Sequence, residues 1–191
     1  MSQIDRNKWN QRYAEDDYRK TNPVTLLEDW VPKLAVGRAL DVACGAGRNA
    51  LYLAQTGFSV DAIDIAAEGL KLGQQQAESQ RLSINWIEHD LDEAYSFDRN
   101  YDLIVVMWYV NPALITRLCD CLAPGGYLIC EEHLVSEQKT VGPRTESFRV
   151  KPGELRSAVS ALEILFYKES VETNAANERV ASAAVVAKKL K

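Results

Sequence analysis

The chain has 191 residues, a formal net charge of -5 and 47% hydrophobic residues. This length allows one domain with a substantial core. The acidic balance excludes DNA or long RNA as the main partner, because phosphate binding needs a basic face. No apolar run reaches the roughly 20 residues that a membrane helix needs, and the polar first residues contain no apolar signal segment. We therefore expect a cytoplasmic monomer or homodimer that acts on a small molecule, without nucleic-acid or membrane partners.

The spacing of the four cysteines matches no common zinc pattern. They are Cys44, Cys119, Cys121 and Cys130. Cys119 and Cys121 would point to different sides of a helix. We therefore predict reduced, structural thiols and no metal site.

The N-terminal part of the sequence predicts two helices. Residues 4–18 form a polar amphipathic pattern that places Trp9 and Tyr13, four residues apart, on one face. Residues 24–30 form a second, shorter helix that Pro32 ends.

The middle of the chain alternates between short apolar strands and helices, which predicts a parallel sheet covered on both faces. Strands are predicted at 39–43, 58–63, 82–88, 101–107 and from 125 to 130. Helices are predicted at 49–56, 66–80 and 112–121. We predict a single domain over residues 1–191, with an N-terminal helical lid segment at 1–32 and a doubly wound α/β core at 37–190.

The C-terminal part departs from this alternation. After a helix at 154–160, strands at 162–169 and 179–187 are separated by about ten residues, too few for a parallel crossover, so we expect them to pair antiparallel. The last strand is apolar on both faces, which predicts a position inside the sheet. The result is a seven-stranded, mostly parallel sheet with an antiparallel last strand. Residues 136–152 are predicted to form a loop over its carboxyl end.

A strand, two glycines and a helix follow one another at residues 40–50, a pattern typical of a cofactor loop. Gly45 and Gly47 let the backbone turn tightly and approach a ligand, and the helix N-terminus offers unpaired N–H groups. Asp41 lies four residues before Gly45, where it can reach a ligand's ammonium group directly or through water. Asp64 ends the second strand, where a carboxylate can accept both ribose hydroxyls.

Further candidates for this site follow the other strands. Asp90 comes after the third strand and suits an exocyclic adenine amine, while Leu91 can supply a backbone N–H and an apolar wall. Each acid alone also fits a solvated strand end; their common order along the chain favours the ligand. Three further cofactor candidates lie in or directly after the predicted strands: Cys44, Ile65 and Met107. The last two candidates are the aromatic residues of the first helix, Trp9 and Tyr13, which either pack or close over the cofactor.

Residues 41–47 resemble the glycine motif of the S-adenosylmethionine-dependent methyltransferases. Residues 122–128 resemble the Leu-x-Pro-Gly-Gly turn that opens the fifth strand of that family. The resemblance covers about residues 37–190 and implies a Rossmann-like fold with S-adenosyl-L-methionine as cofactor. By this resemblance five residues bind the cofactor: Asp41, Gly45, Gly47, Asp64 and Asp90.

Two segments look like the tellurite-resistance branch of that family. They are Gly-Arg-Asn-Ala-Leu-Tyr-Leu-Ala at 47–54 and Gly-Glu-Leu-Arg at 153–156. The short N-terminal helix is similar as well, and the thiopurine methyltransferases are more distantly similar. The resemblance implies a methyltransferase of small molecules, with a soft thiol or an oxyanion of a heavy chalcogen as acceptor.

Candidates for the acceptor site follow the fourth and fifth strands. Trp108 and Tyr109 can wall the sulfonium through cation–π attraction, or they pack in the core. His133 is the candidate catalytic residue because it can take a proton. Arg144 and Arg149 can bind an anionic acceptor or the cofactor carboxylate, or they lie in a solvated loop.

Two alternative functions stay open at this point. Gly45, Gly47 and Ala50, with Asp64 downstream, also fit the fingerprint of an NAD-dependent oxidoreductase. Against it stand the lack of a second substrate domain, the unusual Asp41 and the antiparallel tail. A non-catalytic cofactor-binding regulator is also compatible, because a fold does not fix a function.

Overall fold

All the predicted strands are present in the computed structural model. It describes residues 3–15, 22–97, 100–174 and 176–190. The strands within these ranges are β1 (Arg38–Val42), β2 (Ser59–Asp64), β3 (Ile84–Glu88), β4 (Tyr101–Met107), β5 (Leu122–His133), β6 (Glu163–Thr173) and β7 (Arg179–Lys188). They form a seven-stranded sheet in the order β3-β2-β1-β4-β5-β7-β6.

Strand direction follows the prediction as well. β2 pairs parallel with β1 and with β3, whereas β7 pairs antiparallel with β5 on one side and β6 on the other. Ala183, Val185 and Val186 of β7 are fully buried, since both faces of a central strand are covered. The mostly parallel α/β sheet with an antiparallel last strand inside it is therefore confirmed.

The helices lie between the strands, at bounds close to those predicted. They are α1 (Gln3–Glu15), α2 (Thr25–Trp30), α3 (Arg48–Gln55), α4 (Ala67–Ser79), α5 (Pro112–Asp120) and α6 (Glu154–Ala158), with 3-10 turns at Val31–Lys33 and Glu146–Phe148. Residues 16–18 of the first predicted helix lie outside the described residues. Pro32 lies within a 3-10 turn that continues α2, so the chain leaves the helix three residues later than expected.

β5 begins at Leu122, earlier than the predicted start at Gly125. Gly125 N–H donates to the carbonyl of Lys189 at 2.9 Å, and Lys189 N–H donates to the carbonyl of Gly126 at 2.8 Å. Gly125 has φ 83, which glycine adopts without strain. The segment predicted as a turn is therefore paired with the chain at the end of β7.

The chain divides into two compact units, Met1–Val105 and Val106–Lys191. The core of the first includes Leu40, Leu53 and Ile63, and that of the second includes Ile115, Leu128 and Val185, all at 0% exposure. The predicted single domain over residues 1–191 stays a prediction. Within the described ranges no helix combines the length and apolar composition that crossing a membrane requires.

All four cysteines are free thiols, and three of them are buried. The part of the chain that the structure describes holds no group of three or more His, Cys, Asp or Glu side chains that could bind a metal ion.

Candidate cofactor and acceptor sites

Asp64, the last residue of β2, holds the glycine loop. Gly45 N–H donates to its Oδ2 and Ala66 N–H to its Oδ1, both at 2.8 Å. Asp64 is buried, and this burial raises the pKa of its carboxyl above the usual value. The Ile65 N–H also acts on this carboxyl, so three backbone N–H groups surround its two oxygens. Asp64, the predicted acceptor of the ribose hydroxyls, thus lies directly against the glycine loop.

Asp41 is a second buried acid, near the end of β1. Its Oδ2 accepts from Ala50 N–H at 3.0 Å, the one hydrogen bond that the described residues give this carboxyl. Burial raises the pKa of Asp41 from 3.8 to about 7, although the Ala50 N–H and the Arg48 guanidinium act in the opposite direction. A cationic group of a ligand would favour the ionised form here, as predicted for an ammonium group.

Glycine is required at positions 45 and 47 by the backbone conformation and by the lack of space for a side chain. Both adopt the left-handed conformation, with φ 58 and φ 77. A Cβ on Gly45 would lie 2.3 Å from the Tyr13 hydroxyl oxygen, and one on Gly47 would lie 2.3 Å from the Trp86 ring. Backbone conformation and crowding therefore both demand glycine at these positions.

The first helix covers this loop. The Tyr13 ring fills the space beside Gly45 and Gly69, and the Trp9 ring stacks on it with centroids 6.1 Å apart. The two aromatic residues expected either to pack or to close over the cofactor therefore pack together, with Tyr13 against the glycine loop itself.

Polar contacts that were not predicted fix α1 in this place. Asn10 Oδ1 accepts from Glu68 N–H at 3.0 Å, in the first turn of α4. Arg6 forms a salt bridge of 2.5 Å with Glu88 at the end of β3. Nothing in the polar pattern of residues 4–15 distinguishes Asn10 and Arg6 from solvated neighbours, so sequence reasoning could not find them.

The remaining candidates in the first unit are buried at the ends of its strands. Cys44 N–H donates to the carbonyl of Ile63 at 3.1 Å, and Ile65 and Leu91 are 1% and 3% exposed. Asp90 Oδ1 accepts from Asp92 N–H at 3.0 Å and closes the turn after β3. Because β1, β2 and β3 run parallel, their carboxyl ends lie along one edge.

The acceptor candidates lie in the second unit, after β4 and β5. Met107, the last residue of β4, is buried. Trp108 follows with φ 62, and its N–H donates to the carbonyl of Glu131 at 2.9 Å. The Trp108 ring contacts the ring of His133 at a centroid distance of 4.5 Å. Two of the predicted acceptor residues are therefore neighbours.

His133 is a weak base in this structure. Burial lowers its pKa from 6.5 to about 4, and the Arg149 guanidinium acts in the same direction. Its Nδ1 is buried without a hydrogen-bond partner among the described residues, and a Cβ on Gly142 would lie 2.8 Å from that atom. A base with this pKa stays neutral near pH 7 and takes a proton poorly.

Arg149 braces the loop between β5 and α6. Its guanidinium donates to four oxygens of this segment at 2.8 to 3.1 Å: Pro143 O, Leu134 O, Thr140 Oγ1 and Val141 O. A guanidinium has five N–H donors, so the chain itself uses most of them. Arg149 therefore suits a structural role better than the predicted anion contact. Arg144 lies in the same loop and is exposed.

Solved structures of low identity share this fold. The structure of TehB from Haemophilus influenzae superposes with a TM-score of 0.78 at 24% identity, covering 94% of this chain and 67% of that one. The N-methyltransferase NodS from Bradyrhizobium japonicum, solved with S-adenosyl-l-homocysteine, gives 0.73 at 20% identity, covering 97% and 98%. The chain thus has the fold of S-adenosylmethionine-dependent methyltransferases.

Sequence comparison points to one family within this fold. A curated relative, the probable S-adenosyl-L-methionine-dependent methyltransferase TehB of Haemophilus influenzae, is 27% identical over 169 residues, which is 82% of this chain. The chain spans 58% of the length of that relative. The family model of tellurite resistance protein TehB matches residues 7–181. The chain belongs to the TehB family.

Proposed function

We propose that this chain is an S-adenosylmethionine-dependent methyltransferase that methylates a small molecule, with a thiolate or a chalcogen oxyanion as acceptor. The observation that carries the proposal is the pair of buried carboxyl groups, Asp41 and Asp64, at the glycine loop. Asp64 fits ribose hydroxyls, which NAD also carries, whereas Asp41 favours a ligand with a positive charge over the pyrophosphate of NAD. The name of the Haemophilus influenzae relative, a probable methyltransferase, supports the same choice.

The residues of the first unit fit this cofactor. Asp64 would accept from the ribose hydroxyls, and Asp41 would pair with the ammonium group. Asp90 would accept from the adenine amine beside the apolar wall of Leu91. Bound S-adenosylmethionine would supply an electrophilic methyl carbon on its sulfonium. Tyr13 would shield that region from water, which strengthens electrostatic contacts.

The proposed class of acceptor follows from the low basicity of His133. With a pKa of about 4, His133 is too weak a base to remove a proton efficiently from an alcohol or an ammonium group. An acceptor that is already a nucleophile, such as a thiolate or an oxyanion, needs orientation instead. Trp108 and His133 would provide an aromatic wall for it, with Tyr109 next to them, and Arg144 a positive charge.

The two arginines of the loop are expected to respond differently to substitution. Arg144→Gln should raise the KM of an anionic acceptor about threefold, the modest effect of an exposed charge, and leave the melting temperature unchanged. Arg149→Gln should lower the free energy of unfolding by roughly 1–3 kcal/mol, because it removes several hydrogen bonds. Steady-state kinetics and thermal unfolding of both variants check this. A lower KM for Arg144→Gln would contradict its contact with the acceptor. Unchanged stability of Arg149→Gln would contradict its structural role.

Methyl transfer from radiolabelled S-adenosylmethionine across a panel of acceptors tests the proposal. The panel holds small thiols, selenite, tellurite, a phenol, an amine and a nucleoside. We expect the thiols or the chalcogen oxyanions to give the highest kcat/KM. Preference for the amine or nucleoside would overturn the acceptor class. Cofactor binding without turnover on any acceptor would favour the alternative function, a non-catalytic cofactor-binding regulator.

A cytoplasmic location and a monomeric or homodimeric state also stay predictions.

A further inference from the structure

An acidic side chain lies inside the sheet of the second unit, apart from the residues discussed so far. Glu132 of β5 is 0% exposed and lies opposite Ala183 of β7 in the antiparallel register. Burial of an acid is costly unless hydrogen bonds or loss of charge compensate for it. A buried glutamate near the end of a strand therefore needs a reason.

One oxygen of this carboxyl is engaged and the other is not. Tyr109 N–H donates to the Glu132 carboxyl, and Cys130 Sγ lies 3.7 Å from Oε1. Oε2 is buried without a partner in the part of the chain that the structure describes. Burial raises the pKa of Glu132 well above its usual value, and the Glu131 charge adds to this.

The turn that this carboxyl holds is strained. Trp108 is left-handed at φ 62, a conformation that is unfavourable for a bulky residue unless its surroundings impose it. Two consecutive N–H groups tie the turn to β5: that of Trp108 to the Glu131 carbonyl at 2.9 Å and that of Tyr109 to Glu132. In this position the centroids of the Trp108 and His133 rings lie 4.5 Å apart.

We propose that Glu132 is a positioning residue for methyl transfer: its carboxyl accepts the Tyr109 N–H and so holds Trp108 against His133 in the acceptor site. This inference rests on the proposed function, since it concerns the same acceptor site. This role requires an oxygen that accepts the Tyr109 hydrogen bond, and a side-chain amide oxygen can also accept it. Glutamine should therefore replace Glu132, and an apolar side chain of similar length should not.

The test uses Glu132→Gln and Glu132→Met in the full chain. Glu132→Gln should keep the acceptor kcat/KM within about twofold of wild type, because its amide oxygen can accept from Tyr109. Glu132→Met should lower it about tenfold, through lost orientation, while the Kd of S-adenosylhomocysteine changes less than about twofold. Amide hydrogen exchange at Tyr109, followed by NMR, should quicken about tenfold in Glu132→Met only.

Two results would overturn the inference. One is loss of activity in a folded Glu132→Gln variant, which would show that an ionised carboxylate is needed. The other is Glu132→Met with unchanged kinetics and unchanged Tyr109 exchange. If Glu132→Met does not fold, loss of activity in Glu132→Gln can still overturn the inference. If the wild type transfers no methyl group, the proposed function fails, whereas Tyr109 exchange still reports whether Glu132 holds the turn.

Discussion

Replacing Asp64 with alanine is expected to weaken the binding of S-adenosylhomocysteine by roughly 1–3 kcal/mol, about 5- to 150-fold. The variant removes the acceptor for the ribose hydroxyls. It also releases the N–H groups of Gly45 and Ala66, each held at 2.8 Å. Calorimetry with the folded variant measures the total loss.

An analogue that lacks both ribose hydroxyls separates these two contributions. If Asp64 accepts the hydroxyls, the wild type should bind the analogue at least about tenfold more weakly, and Asp64→Ala should lose this discrimination. Asp61→Ala is the matched control, because Asp61 of β2 is also a buried acid but is engaged by Tyr101 and Asn85 at 2.8 Å. It should lower stability and keep the discrimination. Equal discrimination by Asp64→Ala and wild type would remove Asp64 from the ribose site.

Cofactor affinity is expected to increase about five- to tenfold between about pH 6 and pH 7.5. Burial raises the pKa of Asp41 to about 7, so below that pH the unliganded protein holds a proton that must leave before an ammonium group can pair. For the same reason, protonation of Asp41 stabilises the unliganded fold, and this stabilisation is lost as pH rises from about 4 through 7.

Asp41→Asn is the control for this pH effect. It should bind S-adenosylhomocysteine more weakly than wild type at pH 7.5 and lose most of the slope; any remainder belongs to Asp64, whose pKa burial also raises. Calorimetry in buffers of different ionisation enthalpy should detect proton release near pH 6.5 in the wild type and little in Asp41→Asn. An affinity that falls as pH rises, or an unchanged slope in the variant, would contradict the role of Asp41.

The sequence was informative wherever one pattern determines one structure. Alternating apolar strands and helices predicted the parallel part of the sheet. The two-faced apolar run at 180–187 predicted a last strand inside the sheet, and β7 lies there between β5 and β6. The start of β5 was wrong because Gly125 and Gly126 look like a turn in isolation. Hydrogen bonds to Lys189, far along the chain, decide their conformation.

The candidate site shows the same division. Glycine spacing and strand ends located Asp41 and Asp64, since both depend on local order along the chain. The brace formed by Arg149 depends on carbonyl groups whose positions only the folded loop defines. Glu132 shares its face of β5 with Cys130, so strand alternation from the apolar residues 128–130 could have indicated a buried acid.

Calorimetric titration of the full chain with S-adenosylhomocysteine and, separately, with NAD tests the central claim most directly. The buried Asp41 beside the glycine loop predicts saturable binding of one S-adenosylhomocysteine per chain and no binding of NAD. Binding of NAD, together with no measurable binding of S-adenosylhomocysteine, would contradict the assignment of this loop and the methyltransferase function with it.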